Sequence, residues 1–347
     1  MNSSELDSLK DISEISLEEG RLFSASHEEI LSGWTTDVYF VKTRDVLRRC
    51  NRLDTPVVAE FFARDQGIFA GLPEVLKLLS GRPLYIEAIP EGTRFSSKQV
   101  VLRITGSYSD FGMYETVVLG MLASSSGWAT AARECVEAAS GKPVLCFGAR
   151  HVHPAVAPVM ERAAVAVGGC SAASCILGAK FAGGEPKGTI PHAAILVVGD
   201  TLELAKVYDS FLPSGEARII LVDTFKDEAE ETLRVARALG PKLQGVRLDT
   251  PGERGGVTVE LVREVRWRLD MEGFNKVQII ASGGLNPERI HVLAQAGVDA
   301  FGVGSYIAHG TPRDMTMDIK EVEGRPVAKR GRLPGKLDNP SLQKLEL

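Results

Sequence analysis

Residues 277–305 read VQIIASGGLNPERIHVLAQAGVDAFGVGS, and their reading decides the fold. An apolar run ends in two glycines, a helical pattern opens at Asn286–Pro287 and closes at Gly297, and a second apolar run ends in Gly–Val–Gly–Ser. A strand, a helix and a strand joined this tightly must place the two strands parallel, with a right-handed crossover. Working outward toward the N-terminus, the pattern repeats. Strand-like runs occur at VLCFGAR (144–150), AAILVVGD (193–200), RIILVDT (218–224) and GVRLDT (245–250). Amphipathic helical patterns fill the gaps at 154–167, 201–211, 227–240 and 258–269.

Such alternation allows a barrel or an open doubly wound sheet. Polar residues collect at the C-terminal ends of the strands: Arg150, Asp200, Asp223, Thr224, Arg247, Asp249, Ser282 and Ser305. A barrel gathers strand ends onto one face, where its βα loops carry the site. An open sheet would concentrate them at one switch point. Six or so units fall short of eight, so the expected fold is α/β with an irregular, incomplete barrel over 121–310. Ahead of it, DVYFVKTRDVLRRC and LPEVLKLLSG read as helices, and TPVVAEFFA, PLYIEAIPEGTRF and QVVLRITGSY as strands. A smaller α/β domain over 21–120 follows, with 311–335 as its candidate completion. Residues 1–20 read as a flexible leader and 336–347 as a tail.

Composition narrows the function. A net charge of −5 leaves no basic footprint for nucleic acid. No apolar run approaches the ~20 residues of a membrane span, and the polar, acidic N-terminus is not a signal peptide. The five cysteines have no zinc spacing and suit a reducing cytoplasm.

Two glycine-rich turns on the last two strands, Gly283–Gly284 and Gly302–Gly304, with Ser282 and Ser305, suit a sugar phosphate. Glycines let backbone N–H groups point at phosphate oxygens. Tight turning alone would also explain them. Arg247 and Asp249 share one face of their strand; an arginine there can fork onto a carboxylate or diphosphate, and an aspartate can take ribose hydroxyls or help hold Mg²⁺. Asp223 and Thr224 have helix capping as a competing explanation. The stretch GTIPH (188–192) places His192 ahead of AAILVVGD, at the start of an expected strand.

In order, TTDVYF, IPEGT, DFGMYET, FGAR, GTIPHA, LVDT, RLDT, SGGL and FGVGS resemble nicotinate phosphoribosyltransferase, above all its archaeal form, from about residue 25 to about residue 335. The resemblance implies an N-terminal α/β sandwich domain and a type II phosphoribosyltransferase barrel. It implies transfer from 5-phosphoribosyl-1-diphosphate (PRPP) to nicotinate, with Mg²⁺ and with ATP as co-substrate phosphorylating His192, and with Thr189 of the same motif among the substrate-binding residues. By position, Arg150 and Arg247 would line the PRPP and base pocket and Asp249 would serve the ribose or metal side. Ser174 would donate to the nicotinate carboxylate, and Tyr39 would reach the ring of a neighbouring subunit in a homodimer. His151 stands where relatives have an arginine, and Ser171 and Ala172 where they have aspartate and glycine. The cysteine-rich module of archaeal relatives is missing, so no structural zinc is expected. Quinolinate or nicotinamide phosphoribosyltransferase, and a non-catalytic PRPP-binding paralogue, are the competing readings.

Overall fold

The computed structural model describes residues 5–213 and 215–346. The chain forms two compact units: one takes the chain up to Gly127 and again from Thr311, the other Trp128–Gly310.

The first unit opens with strands β1 (Pro56–Ala63), β2 (Gly67–Ile68), β3 (Tyr85–Ala88), β4 (Arg94–Phe95) and β5 (Val100–Ser107). The second unit contributes β6 (Val144–Cys146), β7 (Ala172–Ala173), β8 (Arg218–Leu221), β9 (Leu243–Leu248), β10 (Gln278–Ala281) and β11 (Ala300–Val303). The chain then returns to the first unit as β12 (Met315–Val322), β13 (Arg325–Pro326) and β14 (Gln343–Leu345).

In the first unit the sheet order is β13-β12-β1-β5-β3-β14, with antiparallel neighbours. Apart from Pro56, β1 is buried along its whole length, because helices cover what its apolar residues expose. The helix Leu72–Leu79 buries Leu72, Val75, Leu78 and Leu79, the spacing of one helical face. It starts from Gly71 at φ 97°, where a Cβ would stand 2.7 Å from the Met121 carbonyl oxygen, so only glycine fits. Within the stretch read as a loose leader, of which residues 1–4 lie outside the described residues, Glu5 and Leu6 are docked. Leu6 is buried, its N–H donates to the Ser32 carbonyl at 3.0 Å, and Tyr114 donates to Glu5.

The second unit carries six parallel strands in the order β7-β6-β11-β10-β9-β8. Period-two alternation sets its two faces. Val246, Leu248, Ile279, Ala281, Phe301 and Val303 join the core beneath the helices. Arg247, Ile280 and Gly302 alternate with them and so belong to the opposite face. Gly302 lacks a side chain for a packing reason, since a Cβ there would lie 2.4 Å from the Phe147 ring.

One expectation fails. AAILVVGD is not a strand; His192–Val198 is a helix, ended by Gly199 at φ 90°. Asp200, read as a strand end, instead caps the next helix, accepting from the Glu203 N–H at 2.8 Å. A short apolar run cannot separate strand from helix by periodicity, and here the left-handed glycine and the aspartate cap settle it. With helices Ile176–Phe181, His192–Val198 and Thr201–Phe211 between β7 and β8, those two strands remain the sheet's edges. The parallel sheet is a half-barrel.

Candidate active site

Arg247 is the hub. It rises from β9 and is held on three sides: Nε donates to Ser282 Oγ (2.8 Å), Nη1 to Thr189 Oγ1 (2.9 Å) and Nη2 to Asp249 Oδ2 (2.8 Å). Its guanidinium also lies 5.4 Å from the centre of the Phe147 ring. Ser282, expected among the phosphate ligands, is buried; its hydroxyl donates to Asp249 Oδ1 at 2.9 Å, with the Leu248 carbonyl at 3.2 Å sharing the same proton. Its side chain positions Arg247 and Asp249.

Asp223, just past β8, accepts from the Asp249 N–H through Oδ2 at 2.9 Å. Its Oδ1 is buried without a hydrogen-bond partner. Burial pushes its carboxyl above the usual carboxylate range, and the nearby His192 works against that shift. Helix capping does not explain Asp223 or Thr224, because Asp227 caps the following helix, accepting from Ala229 and Glu230.

His192 reaches this cluster because its helix is pinned. Ile195, one turn on, packs with Leu204 and Leu221. His192 Nδ1 lies 3.0 Å from Thr224 Oγ1, while Nε2 stands 3.8 Å from Asp223 Oδ1 and 3.7 Å from Asp249 Oδ2. Residues 189, 192, 223, 224, 247, 249 and 282 are thus gathered in one place.

The glycine turns flank it. Gly283 and Gly284 take φ of 86° and 59°, and a Cβ on Gly283 would come within 3.0 Å of Asp249 Oδ1. A Cβ on Gly304 would stand 2.7 Å from the Phe147 carbonyl oxygen and 3.0 Å from His151 Nε2. Ser305 begins a four-residue helix, Ser305–Ala308. Arg150 is exposed on the turn Ala149–His151. The His151 ring meets His309 edge-on at 5.9 Å; burial, then the charges of Arg150 and His309, hold its pKa below the ordinary histidine value. Tyr39 belongs to the first unit, half exposed and 4.2 Å from Phe40 centre to centre.

Ser174 is not free. Its hydroxyl donates to Glu161 Oε1 at 3.1 Å, so the proton expected for a substrate carboxylate is already committed. Glu161 went unread in the sequence because, inside PAVAPVMERAAVAV, a glutamate passes for the solvated side of an amphipathic helix. It is wholly buried.

Chemically, one fixed cation, two adjoining carboxylates, an imidazole and glycine turns can hold a phosphorylated, charged sugar and stabilise charge that moves during bond breaking. Among the described residues no group of three or more His, Cys, Asp or Glu could hold a metal ion by itself. No described helix is long and apolar enough to cross a membrane.

Comparison with known proteins supports the resemblance only at the level of the broader phosphoribosyltransferase family and does not confirm a nicotinate enzyme. The family model for the quinolinate phosphoribosyl transferase N-terminal domain matches residues 37–126, and the one for its C-terminal domain matches 128–318. A solved structure of nicotinate-nucleotide pyrophosphorylase from Pyrococcus furiosus is 46% identical, with a TM-score of 0.87, over 91% of this chain and 82% of that one. A probable carboxylating nicotinate-nucleotide pyrophosphorylase of Methanothermobacter thermautotrophicus is 26% identical over 77% of this chain and 89% of its own length. A nicotinate phosphoribosyltransferase of Mycobacterium tuberculosis is 31% identical over 71% of this chain. The chain spans about half the length of that relative, 55%. The expectation of an ATP-dependent nicotinate enzyme is overturned by the family models and the 46% identical pyrophosphorylase, which favour its quinolinate alternative. The chain belongs to the quinolinate phosphoribosyl transferase family.

Proposed function

We propose that the chain transfers the phosphoribosyl group of PRPP to the ring nitrogen of quinolinate, releasing diphosphate and carbon dioxide and leaving nicotinate mononucleotide. The observation that carries this reading is the match of quinolinate-type models to both parts of the chain, together with 46% identity to a nicotinate-nucleotide pyrophosphorylase. The carboxylating name of the Methanothermobacter relative describes the same reaction run backward.

In this reading Gly283, Gly284, Gly302, Gly304 and Ser305 face the 5′-phosphate with backbone N–H groups. Arg247 neutralises the diphosphate as the C1–O bond lengthens, with the charge gathering on donors already in place, while Arg150 faces the acceptor ring. The ring nitrogen takes C1, the diphosphate leaves with the bonding pair, and the 2-carboxylate departs as carbon dioxide, its electron pair taking a proton at C2. Asp249 and the unpartnered Asp223 Oδ1 suit the ribose hydroxyls and a Mg²⁺ ion carried on the diphosphate; such an ion keeps most of its waters and asks for only one or two protein oxygens. His192, beside Thr224 and both aspartates, lines the same pocket. Tyr39 is assigned to the acceptor pocket of a second copy, which makes the working form a homodimer.

The test compares quinolinate, nicotinate and nicotinamide as acceptors with PRPP and Mg²⁺, following mononucleotide by chromatography. Turnover of quinolinate supports the reading. Turnover confined to nicotinate or nicotinamide refutes it, and PRPP binding with no turnover of any acceptor favours a non-catalytic role.

A further inference from the structure

Glu161 lies on the helix Ala157–Arg162 and is 0% exposed. A buried carboxylate is expensive unless its oxygens are fully hydrogen-bonded, and this one is bonded in an informative way. Oε1 accepts from the Gly148 N–H, the Ala149 N–H and the Ser174 hydroxyl, each at 3.1 Å. Oε2 accepts from the Cys175 N–H at 2.6 Å. Gly148 and Ala149 belong to the turn after β6; Ser174 and Cys175 belong to the turn after β7. One side chain therefore ties together two neighbouring strand ends, the first leading directly into Arg150.

All four donors are neutral, and three are backbone N–H groups that no neighbouring strand satisfies. An acceptor-only group with two oxygens is the side chain that answers four converging donors. The fit is close: a Cβ on Gly178 would stand 2.9 Å from Glu161 Cβ, and one on Gly148 would stand 2.6 Å from Met160 Cε. Helix and turns are therefore packed without slack around the carboxylate.

We propose that Glu161 is the positioning residue of the acceptor pocket, fixing where the Arg150 turn and the Ser174 turn leave the sheet and keeping the Ser174 proton away from the ligand. This rests on the phosphoribosyl-transfer reading. It follows that a carboxylate on the acceptor ring is met by Arg150 and not by the Ser174 hydroxyl.

Glu161→Gln tests it. The amide keeps the volume but turns an NH₂ group toward a donor, so one of the two turns loses its anchor. The expected result is a rise of about tenfold in KM for the pyridine acceptor, the scale of one misplaced charged contact. KM for PRPP should stay within about threefold, because Arg247 and the glycine turns are untouched. Hydrogen exchange read at Gly148, Ala149 and Cys175 should speed up at one turn or both. Glu161→Met fills the same space with no acceptor; it should free both turns and raise the acceptor KM further. Unchanged acceptor KM in a folded Glu161→Gln protein overturns the proposal, as does an equal rise in both KM values. If the wild-type protein turns over no pyridine, the reading of function fails. The exchange measurement then still decides the tie, and unaltered protection in both variants refutes it.

Discussion

Replacing Arg247 by lysine keeps the charge and removes the fork. The guanidinium serves three partners from three separate nitrogens, at 2.8, 2.9 and 2.8 Å. A lysine ammonium is a single point and can hold Asp249 while giving up Ser282 and Thr189. Ser282 remains satisfied through Leu248 and Asp249, so the folded state loses little. The transition state loses a donor aimed at the leaving diphosphate, and removal of one preorganised donor costs about 10²–10³ in rate, roughly 2.7–4 kcal/mol. Arg247→Lys should therefore lower kcat/KM for PRPP by about 10²–10³ while shifting thermal stability by less than about 1 kcal/mol. Initial rates across a PRPP series, with Tm measured on the same preparation, check both halves. A folded variant within about fivefold of wild type would refute the placement of Arg247 at the reacting diphosphate.

Three further outcomes follow from the same geometry. Asp223→Asn removes a buried carboxylate with an unpartnered oxygen, so it should stabilise the protein by about 1–3 kcal/mol at pH 8 while lowering turnover sharply. Because the folded-state pKa of Asp223 is raised, its ionisation cost appears only as pH rises through that pKa, and the stability gain should shrink toward acidic pH in paired melts. His151, whose pKa burial and the neighbouring Arg150 and His309 hold below the ordinary histidine value of 6.5, should gain charge only below that value, so PRPP affinity should strengthen as pH falls below about 6.5. Titration calorimetry should show that slope in the wild type and a flatter one in His151→Arg. Tyr39→Ala and Arg247→Ala proteins, each poorly active alone, should recover activity when mixed if Tyr39 completes a second copy's site; mixtures no better than their parents would show that each site is served by its own chain.

Much of this architecture was legible in the residues. The strands from Arg218 to Val303 announce themselves by β-branched runs ending in polar residues, and the period of two correctly put Arg247 and Asp249 on one face, where they touch. The gathering of His192 with Thr224, Asp223 and Asp249 could be reached from motif order but not from spacing, because 32 residues separate His192 from Thr224. Three features stayed hidden for physical reasons. AAILVVGD has the same apolar content as a strand or a short buried helix, and its end signals, Gly199 and Asp200, outweigh its β-branched residues. Glu161 is invisible because burial of a charge is decided by donors that arrive from two distant turns. The acceptor stayed hidden because the motifs that resemble a nicotinate enzyme do not name the acceptor ring, whereas the family models and the 46% identical pyrophosphorylase favour the quinolinate alternative.

The central claim is that the acceptor loses a carboxyl group during transfer. Quinolinate labelled at its 2-carboxylate, incubated with PRPP, Mg²⁺ and this protein, should release labelled carbon dioxide in a one-to-one ratio with nicotinate mononucleotide, with no need for ATP. Mononucleotide formed from nicotinate, with no carbon dioxide released from quinolinate, would contradict the account.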